Sequence, residues 1–100
     1  MNSIKVANQL KGAGELEQAI SKYRQIIKYN PNFYWAYYEL GAALARQGNF
    51  EDAINQLELA LTINPFSDCC SYYLGKVLFQ QGKLLRAAKF YRKAVHTNSA

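Results

Sequence analysis

The 100-residue sequence contains no apolar run approaching the roughly 20 residues that a membrane-spanning helix needs. Its first six residues, Met1 to Val6, also lack the long apolar stretch of a secretory signal peptide. We therefore expect a cytoplasmic protein with no membrane association, unless a leader was removed from a longer parent chain.

Cysteine and histidine are too scarce and too poorly spaced to build a chemical site. Cys69 and Cys70 are adjacent, so on a helix they point in different directions and make poor disulfide partners. A metal site would need more ligands nearby, and the only histidine is His96. There is no nucleophile beside a base and no glycine-rich phosphate loop. The sequence therefore predicts no catalytic residue, metal or cofactor, and a protein that is not an enzyme.

Acidic residues are outnumbered, but the excess of positive charge is uneven. Residues 1–33 carry five Lys or Arg and two Glu, which gives +3. Residues 34–67 carry one Arg and four acids, giving −3, and residues 68–100 carry six Lys or Arg and one Asp, giving +5. A nucleic-acid footprint would be basic throughout, so this pattern makes nucleic acid an unlikely partner.

Matching residues recur at a constant spacing of 34 through the whole chain. The matching positions are Gly14, Gly48 and Gly82, then Ala19, Ala53 and Ala87, then Asn30, Asn64 and Asn98. A fixed period of this length is typical of repeat arrays, in which each unit buries its apolar face on its neighbours.

Each unit is predicted to form two helices. In the middle unit, Tyr37, Leu40, Gly41 and Leu44 share one face of a helix, and Gly48 suits a left-handed C′ position after it. Asn64-Pro65 ends the second helix, because the residue before proline avoids the α region. The helices are predicted near residues 2–11, 15–28, 34–47, 50–63, 68–81 and 84–97. Short connections make consecutive helices antiparallel, and recurring Ala and Gly mark where their backbones meet.

The chain resembles the tetratricopeptide repeat family over essentially all its length. The middle unit supplies the family pattern through Tyr37, Leu40-Gly41, Leu44, Gly48, Ala53, Leu57, Ala60 and Pro65. Departures are Ser3 and Ser71 at the first aromatic position and Ser99 at the proline. Pentatricopeptide repeats, which bind RNA, favour a period of 35, and the uniform spacing of 34 argues against them.

The resemblance implies an all-α fold, a right-handed α-solenoid of three helix-turn-helix units with six antiparallel helices and no clear C-terminal capping helix. Residues 1–100 are then a single domain, with repeats of approximately 1–33, 34–67 and 68–100. It also implies a protein–protein interaction scaffold with a concave groove lined by the first helix of each unit. One alternative is a docking or regulatory segment of a larger enzyme, such as a glycosyltransferase.

By the same resemblance, the groove is an aromatic and partly basic site for a peptide or partner segment. The expected groove residues are Ile4, Asn8, Lys11, Trp35, Tyr38, Arg46, Tyr72, Lys76 and Phe79. The alternative interpretation is that Trp35 and Tyr38 pack against the preceding helix and that Tyr72 packs against its own.

A known subclass clamps the C-terminal carboxylate of heat-shock chaperones with lysines, asparagines and an arginine. The corresponding places in this chain hold Ile4, Asn8, Glu39, Cys69 and Tyr73. Only Asn8 matches, and Glu39 would repel a carboxylate. We therefore do not expect a chaperone clamp.

The last helix carries a basic face made of Arg86, Lys89 and Lys93, with His96 in the same register. This face is either a solvated outer surface or an electrostatic dock for an acidic partner or nucleic acid. Val95, Ala88 and Tyr91 are expected to lie partly open where a further helix would begin. Either the chain is a piece of a longer array, or copies cover each other's open face as a homo-oligomer.

Overall fold

Six helices and the short turns between them make up the part of the chain that the structure describes. The computed structural model describes the backbone of residues 3–98 and the side chains of residues 3–95. The helices are α1 (Ser3–Gly12), α2 (Leu16–Tyr29), α3 (Tyr34–Arg46), α4 (Phe50–Ile63), α5 (Asp68–Gln80) and α6 (Leu84–Asn98). No strand occurs within residues 3–98. The predicted all-α architecture is confirmed. Each helix end predicted within residues 3–98 agrees to within one residue, and the predicted start at residue 2 lies outside the described residues.

Glycine closes the turn inside each repeat. Gly48 has a φ of 85°, a left-handed conformation that glycine adopts without strain. The Asn49 N–H donates to the Leu44 carbonyl at 2.9 Å, and the Gly48 N–H donates to the Ala45 carbonyl at 3.0 Å. These two bonds form a Schellman motif, which satisfies the last carbonyls of α3. The turn is therefore short enough to fold α4 back against α3.

Small residues lie where the two helices of a repeat touch. A Cβ atom on Gly41 would stand 2.7 Å from Leu57 Cγ and 3.2 Å from the Ala53 carbonyl oxygen. Gly75 has the same relation to Tyr91 and to the Ala87 carbonyl. The predicted role of these small residues in helix contact is confirmed by their burial.

Two apolar clusters join the three repeats in a row. The first cluster links repeats 1 and 2 and contains Ala7, Ala19, Tyr23, Leu40, Ala43, Leu44 and Ala53. The second cluster links repeats 2 and 3 and contains Tyr34, Ile54, Leu57, Ala60, Leu61, Cys70, Leu74, Val77, Leu78 and Ala87. The molecule measures 37 × 27 × 20 Å. Stacking leaves one side of α1, α3 and α5 in a common surface, called here the first-helix face.

Candidate functional site

Large aromatic side chains are exposed on the first-helix face. Trp35 of α3 and Tyr72 and Phe79 of α5 are between 48% and 58% exposed. Tyr72 and Phe79 are two helical turns apart, so they project from the same side of α5. Exposed aromatic residues of this size are enriched where proteins bind one another.

Other aromatic rings pack against Trp35 and connect it to α5. Trp35 stands edge-on to Tyr34, with ring centroids 4.8 Å apart, and edge-on to Tyr38 at 5.6 Å. Tyr38 in turn approaches Tyr73 of α5 at 5.9 Å. Edge-to-face pairs contribute about 0.5–1.5 kcal/mol beyond the area they bury. The rings therefore form a connected layer across the junction of repeats 2 and 3.

Polar groups fix the orientation of this aromatic layer. The Cys69 thiol donates to the Tyr38 hydroxyl oxygen at 3.1 Å, and the Tyr34 hydroxyl is hydrogen bonded to Ser67. Ser67 is also the N-cap of α5, where its Oγ accepts from the Cys70 N–H at 3.1 Å. Burial raises the pKa of Tyr34 to about 12 and also raises the pKa of Tyr38. Both phenols therefore keep their protons to a higher pH than an exposed tyrosine does.

The first repeat presents a different surface, because its predicted groove residues make contacts within the chain. Lys11 pairs with Glu39, and Arg46 Nη1 donates to the Lys11 carbonyl at 2.8 Å. Asn8 Oδ1 accepts from the Tyr23 hydroxyl, and Ile4 packs against the first cluster. This end of the first-helix face is therefore occupied by bonds that hold repeats 1 and 2 together.

The structure thus divides the predicted groove residues into two groups. It places Tyr38 against Trp35 and against Tyr73 at the junction of repeats 2 and 3, and it leaves Tyr72 and Lys76 exposed on α5. Tyr38 packs against Tyr73 of the following repeat and not only within its own helix. Tyr72 contacts Tyr91 on α6, the second helix of its repeat, with ring centroids 5.5 Å apart.

Sequence reasoning missed Tyr73 and Tyr34 as parts of this surface. Tyr73 occupies the repeat position that Glu39 holds in the middle unit, a position that was compared with the chaperone clamp but left out of the expected groove residues. One helical turn separates it from Cys69, which places both on one side of α5, and this spacing is the signal that would have found it. Burial raises the pKa of Tyr73 as well.

The basic face of α6 is partly engaged inside the chain. Arg86 donates to Glu58 Oε2 of α4 at 2.8 Å, and the two side chains are 48% and 43% exposed. The Lys89 ammonium lies 5.7 Å from the centroid of the Phe90 ring. Lys93 is half-buried, and the side chain of His96 lies outside the described residues.

Two cavities lie away from the middle of the first-helix face. One, of about 680 Å³, is lined by Ile4 near the start of α1, by Ile26 and Tyr29 of α2 and by Phe33. The other, of about 600 Å³, lies between α5 and α6 beside Tyr72, Tyr91 and Val95. Within the described part of the chain, no group of three His, Cys, Asp or Glu residues is placed to bind a metal ion. None of the helices over residues 3–98 combines the length and apolarity that crossing a bilayer demands.

Comparison with solved structures shows the same arrangement of helices in other proteins. The structure of MamA superimposes with a TM-score of 0.93 at 23% identity, covering 97% of this chain and 57% of that one. A second MamA structure, of the AMB-1 protein, gives a TM-score of 0.90 at 19% identity, with 98% and 54% covered. A chain in the CopN–Scc3 complex gives 0.89 at 16% identity, with 95% and 56% covered.

The chain therefore spans little more than half the length of the structures it matches. No curated protein matches it. Residues 7–68 and 71–100 match the family model described as the tetratricopeptide repeat. With the helix pairs, the glycine turns and the constant repeat spacing, this match shows that the chain belongs to the tetratricopeptide repeat family.

Proposed function

We propose that this protein is an interaction module that binds an extended or helical segment of a partner protein along its first-helix face. The observation that carries the proposal is the exposure of Trp35, Tyr72 and Phe79, with Trp35 packed edge-on against the rings of Tyr34 and Tyr38. Family members are generally interaction modules, and one structure of the same fold is that of a complex, CopN–Scc3.

The energetics favour aromatic anchoring over electrostatic attraction. Burying a large aromatic side chain contributes about 1.5–3 kcal/mol, so two half-exposed rings supply a substantial part of a micromolar affinity. Lys11 is already paired with Glu39 and Arg46 donates to the Lys11 carbonyl, whereas Lys76 is exposed on this face. The proposed partner segment therefore has apolar side chains for the rings and an acidic group beside them.

Selection from a random peptide display library on the wild-type protein tests the proposal. The affinity of selected peptides is then compared for wild type, the double variant Trp35→Ala/Tyr72→Ala, and Leu59→Ala as a matched control. Leu59 is exposed on α4, away from the first-helix face. All variants are checked for native helix content by circular dichroism.

We expect the double variant to lose at least about tenfold in affinity, since each truncated ring removes more than about 1 kcal/mol. The control keeps the wild-type affinity. Equal affinities of the double variant and the control would show that the peptides bind elsewhere.

The basic face of α6 is the second candidate, favoured by the charge of +5 on residues 68–100. Replacing Lys89 and Lys93 with Glu distinguishes binding at the basic face of α6 from binding at the first-helix face. Binding through this face would fall steeply with salt concentration and would be lost in the reversed variant, whereas binding on aromatic rings would respond much less.

A further inference from the structure

Four positions at the start of the second helix point to solvent in every repeat. They hold Glu15, Glu17, Gln18 and Ser21 in the first repeat, Asn49, Glu51, Asp52 and Asn55 in the middle repeat, and Lys83, Leu85, Arg86 and Lys89 in the third. All of these residues are exposed, including those of the middle repeat, which has a packed neighbour on each side. Their exposure in the third repeat therefore does not depend on where the chain ends. The four residues of the third repeat are called here the α6 tip.

The third repeat reverses the charge at these positions. The first repeat carries two Glu there and the middle repeat carries Glu51 and Asp52, so each has −2, whereas the α6 tip has +3. Acidic residues in the first turns of α2 and α4 interact favourably with the positive end of the helix dipole, and α6 has none in its first turn. A sequence that departs from this rule indicates a requirement other than helix stability.

The cations of the α6 tip differ in what they contact. Arg86 donates to Glu58 Oε2 at 2.8 Å, so its charge is partly neutralised within the chain. None of the ion pairs between residues 3 and 95 involves Lys83 or Lys89. The acidic residue nearest to the tip in sequence is Asp68, at the opposite end of α5, and no Asp or Glu occurs in residues 69–100. Lys83 and Lys89 are therefore the cations that the tip offers to an anionic partner.

A leucine stands among these cations. Leu85 is 89% exposed, more than any other large apolar side chain that the structure describes. Its counterparts Glu17 and Glu51 show that the position has no packing role that requires an apolar residue. Lys89 lies one helical turn further along α6 and so shares the side of the helix that carries Leu85. An aliphatic side chain in this place gains free energy only when it leaves water for an apolar medium.

An anionic lipid surface matches this combination better than a nucleic acid or a protein does. A nucleic acid would contact the lysines but would leave Leu85 in water. A protein would need a pocket shaped to receive a convex turn, whereas a bilayer adapts to one. Lipid headgroups also place negative charge directly above the acyl chains, so the lysines can remain with the headgroups while the leucine reaches below them.

We propose that the α6 tip binds the surface of an anionic lipid bilayer, with Leu85 inserted among the acyl chains and with Lys83 and Lys89 against the headgroups. The expectation of no membrane association considered spanning and leader segments alone, and a peripheral contact needs neither. The tip shares Arg86 and Lys89 with the basic face of α6 but takes no part in the first-helix face. The inference therefore goes beyond the function proposed above, because it leaves the first-helix face free to hold a protein partner at the membrane.

Co-sedimentation of the full chain with vesicles tests the proposal. The vesicles consist of phosphatidylcholine alone or of phosphatidylcholine with about one third phosphatidylserine. We expect binding to the vesicles that contain phosphatidylserine only, and weaker binding at high salt because salt screens the lysines. The double variant Lys83→Gln/Lys89→Gln should bind at least about tenfold more weakly, since each cation near an anionic surface contributes about fivefold.

A pair of neutral substitutions isolates the role of the leucine. Leu85→Gln should weaken binding at least about fivefold, because it removes the inserted side chain without changing the charge. Phe66→Gln is the matched control, since Phe66 is 80% exposed and lies at the other end of α5, about 20 Å away along that helix. The control should bind as wild type does. Both substituted side chains are exposed, so both variants should fold.

Tryptophan fluorescence tests insertion directly. Trp35 is the only tryptophan of the chain, so Leu85→Trp in a Trp35→Phe background places the single indole at the tip. Its emission should shift to the blue with phosphatidylserine vesicles and should be quenched by brominated acyl chains. Trp35→Phe alone should bind vesicles as wild type does. Failure of the peptide selection on the first-helix face would therefore not affect this result.

Several outcomes would overturn the proposal. One is the absence of sedimentation with phosphatidylserine vesicles at millimolar lipid. Another is equal binding of wild type and Leu85→Gln without a blue shift of the tip indole, because the tip would then attract negative charge alone, as it would attract a nucleic acid. A third is an equal loss of binding in Phe66→Gln. A fourth is displacement from the vesicles by soluble poly-glutamate whose own binding needs Leu85, because the occupant would then be an acidic protein.

Discussion

The middle and third repeats share one residue pattern but differ in what surrounds them. The middle repeat has a packed neighbour on each side, and its helices contribute to both apolar clusters. The third repeat is packed against the second, and Leu84 and Val95 of its α6 are exposed. Equivalent apolar residues are therefore buried in one repeat and exposed in the other. Whether a residue of a repeat protein is buried therefore depends on the adjacent repeat that packs against it and not on the residue type.

The largest expected difference concerns the small residues at the helix crossings. Ala53→Leu should lower the free energy of unfolding by about 1–3 kcal/mol, because α4 is held between two neighbours and cannot move away. Ala87→Leu should cost less, since α6 can shift toward the side on which Leu84 and Val95 are exposed. Thermal unfolding followed by circular dichroism measures both, with roughly 4–8 °C expected per kcal/mol. An unchanged melting temperature for Ala53→Leu would contradict this account of the packing.

Glycine substitutions sharpen the same comparison. In Gly41→Ala the new Cβ would lie 2.7 Å from Cγ of the fully buried Leu57, whereas in Gly75→Ala it would lie 2.9 Å from Tyr91 Cδ1 beside the cavity. Alanine gains about 1 kcal/mol of helix propensity over glycine in both cases. We expect net destabilisation of about 1 kcal/mol at position 41 and almost none at position 75.

Urea denaturation of the two glycine variants checks this expectation. Equal destabilisation would show that Tyr91 is held as rigidly as Leu57 and that the third repeat is not the more adaptable one. A larger loss at position 75 would reverse the comparison.

The two ion pairs that join the middle repeat to its neighbours should differ in strength. The side chains of Lys11 and Glu39 are 20% and 18% exposed, whereas those of Arg86 and Glu58 are 48% and 43% exposed. Solvent screens the second pair, so Glu58→Gln should change stability by less than about 0.5 kcal/mol. Glu39→Gln leaves the Lys11 ammonium half-buried without its counter-charge and should cost about 1 kcal/mol.

Denaturation of each ion-pair variant at low and high salt provides the measurement. Double-mutant cycles with Lys11→Met and Arg86→Met isolate the pairwise contributions. A stronger coupling for the exposed pair would contradict the role assigned to burial.

The smallest expected effect concerns the two adjacent thiols of α5. One lies on the side of the helix that packs against the rest of the protein, and the other lies on its exposed side. Cys69 is exposed and Cys70 is buried, and burial raises the pKa of Cys70 to about 12. A thiol-specific reagent at mildly alkaline pH should modify Cys69 in the native protein and Cys70 only after unfolding, because the thiolate is the reactive form. Fast modification of two thiols would contradict the burial of Cys70.

The direction of the pH effect follows from the same shift. The folded protein holds the Cys70 proton more tightly than the unfolded chain, so this contribution to stability is complete below about pH 9. It is lost as pH rises toward 12. A Cys70→Ala variant should lack this part of the alkaline destabilisation.

Much of the fold could be predicted from the sequence because the residues that end its helices act locally. Gly48 and the Asn64-Pro65 pair ended helices within one residue of the predicted points, since positive φ and the restriction before proline act on single residues. The candidate surface was less predictable. Lys11 was expected to face a ligand, yet it pairs with Glu39, which belongs to the next repeat. Tyr73 was missed because its contact with Tyr38 joins two different repeats.

The sequence by itself determined the helices, their turns and the stacking of three repeats, because periodicity, glycine conformation and apolar patterning are properties of short segments. Only the tertiary structure decided which side chains remain available for a partner. It placed Asn8 and Lys11 in contacts between helices and left Trp35, Tyr72 and Phe79 exposed. Exposure depends on what packs across an interface, and residues far apart in the chain supply those contacts.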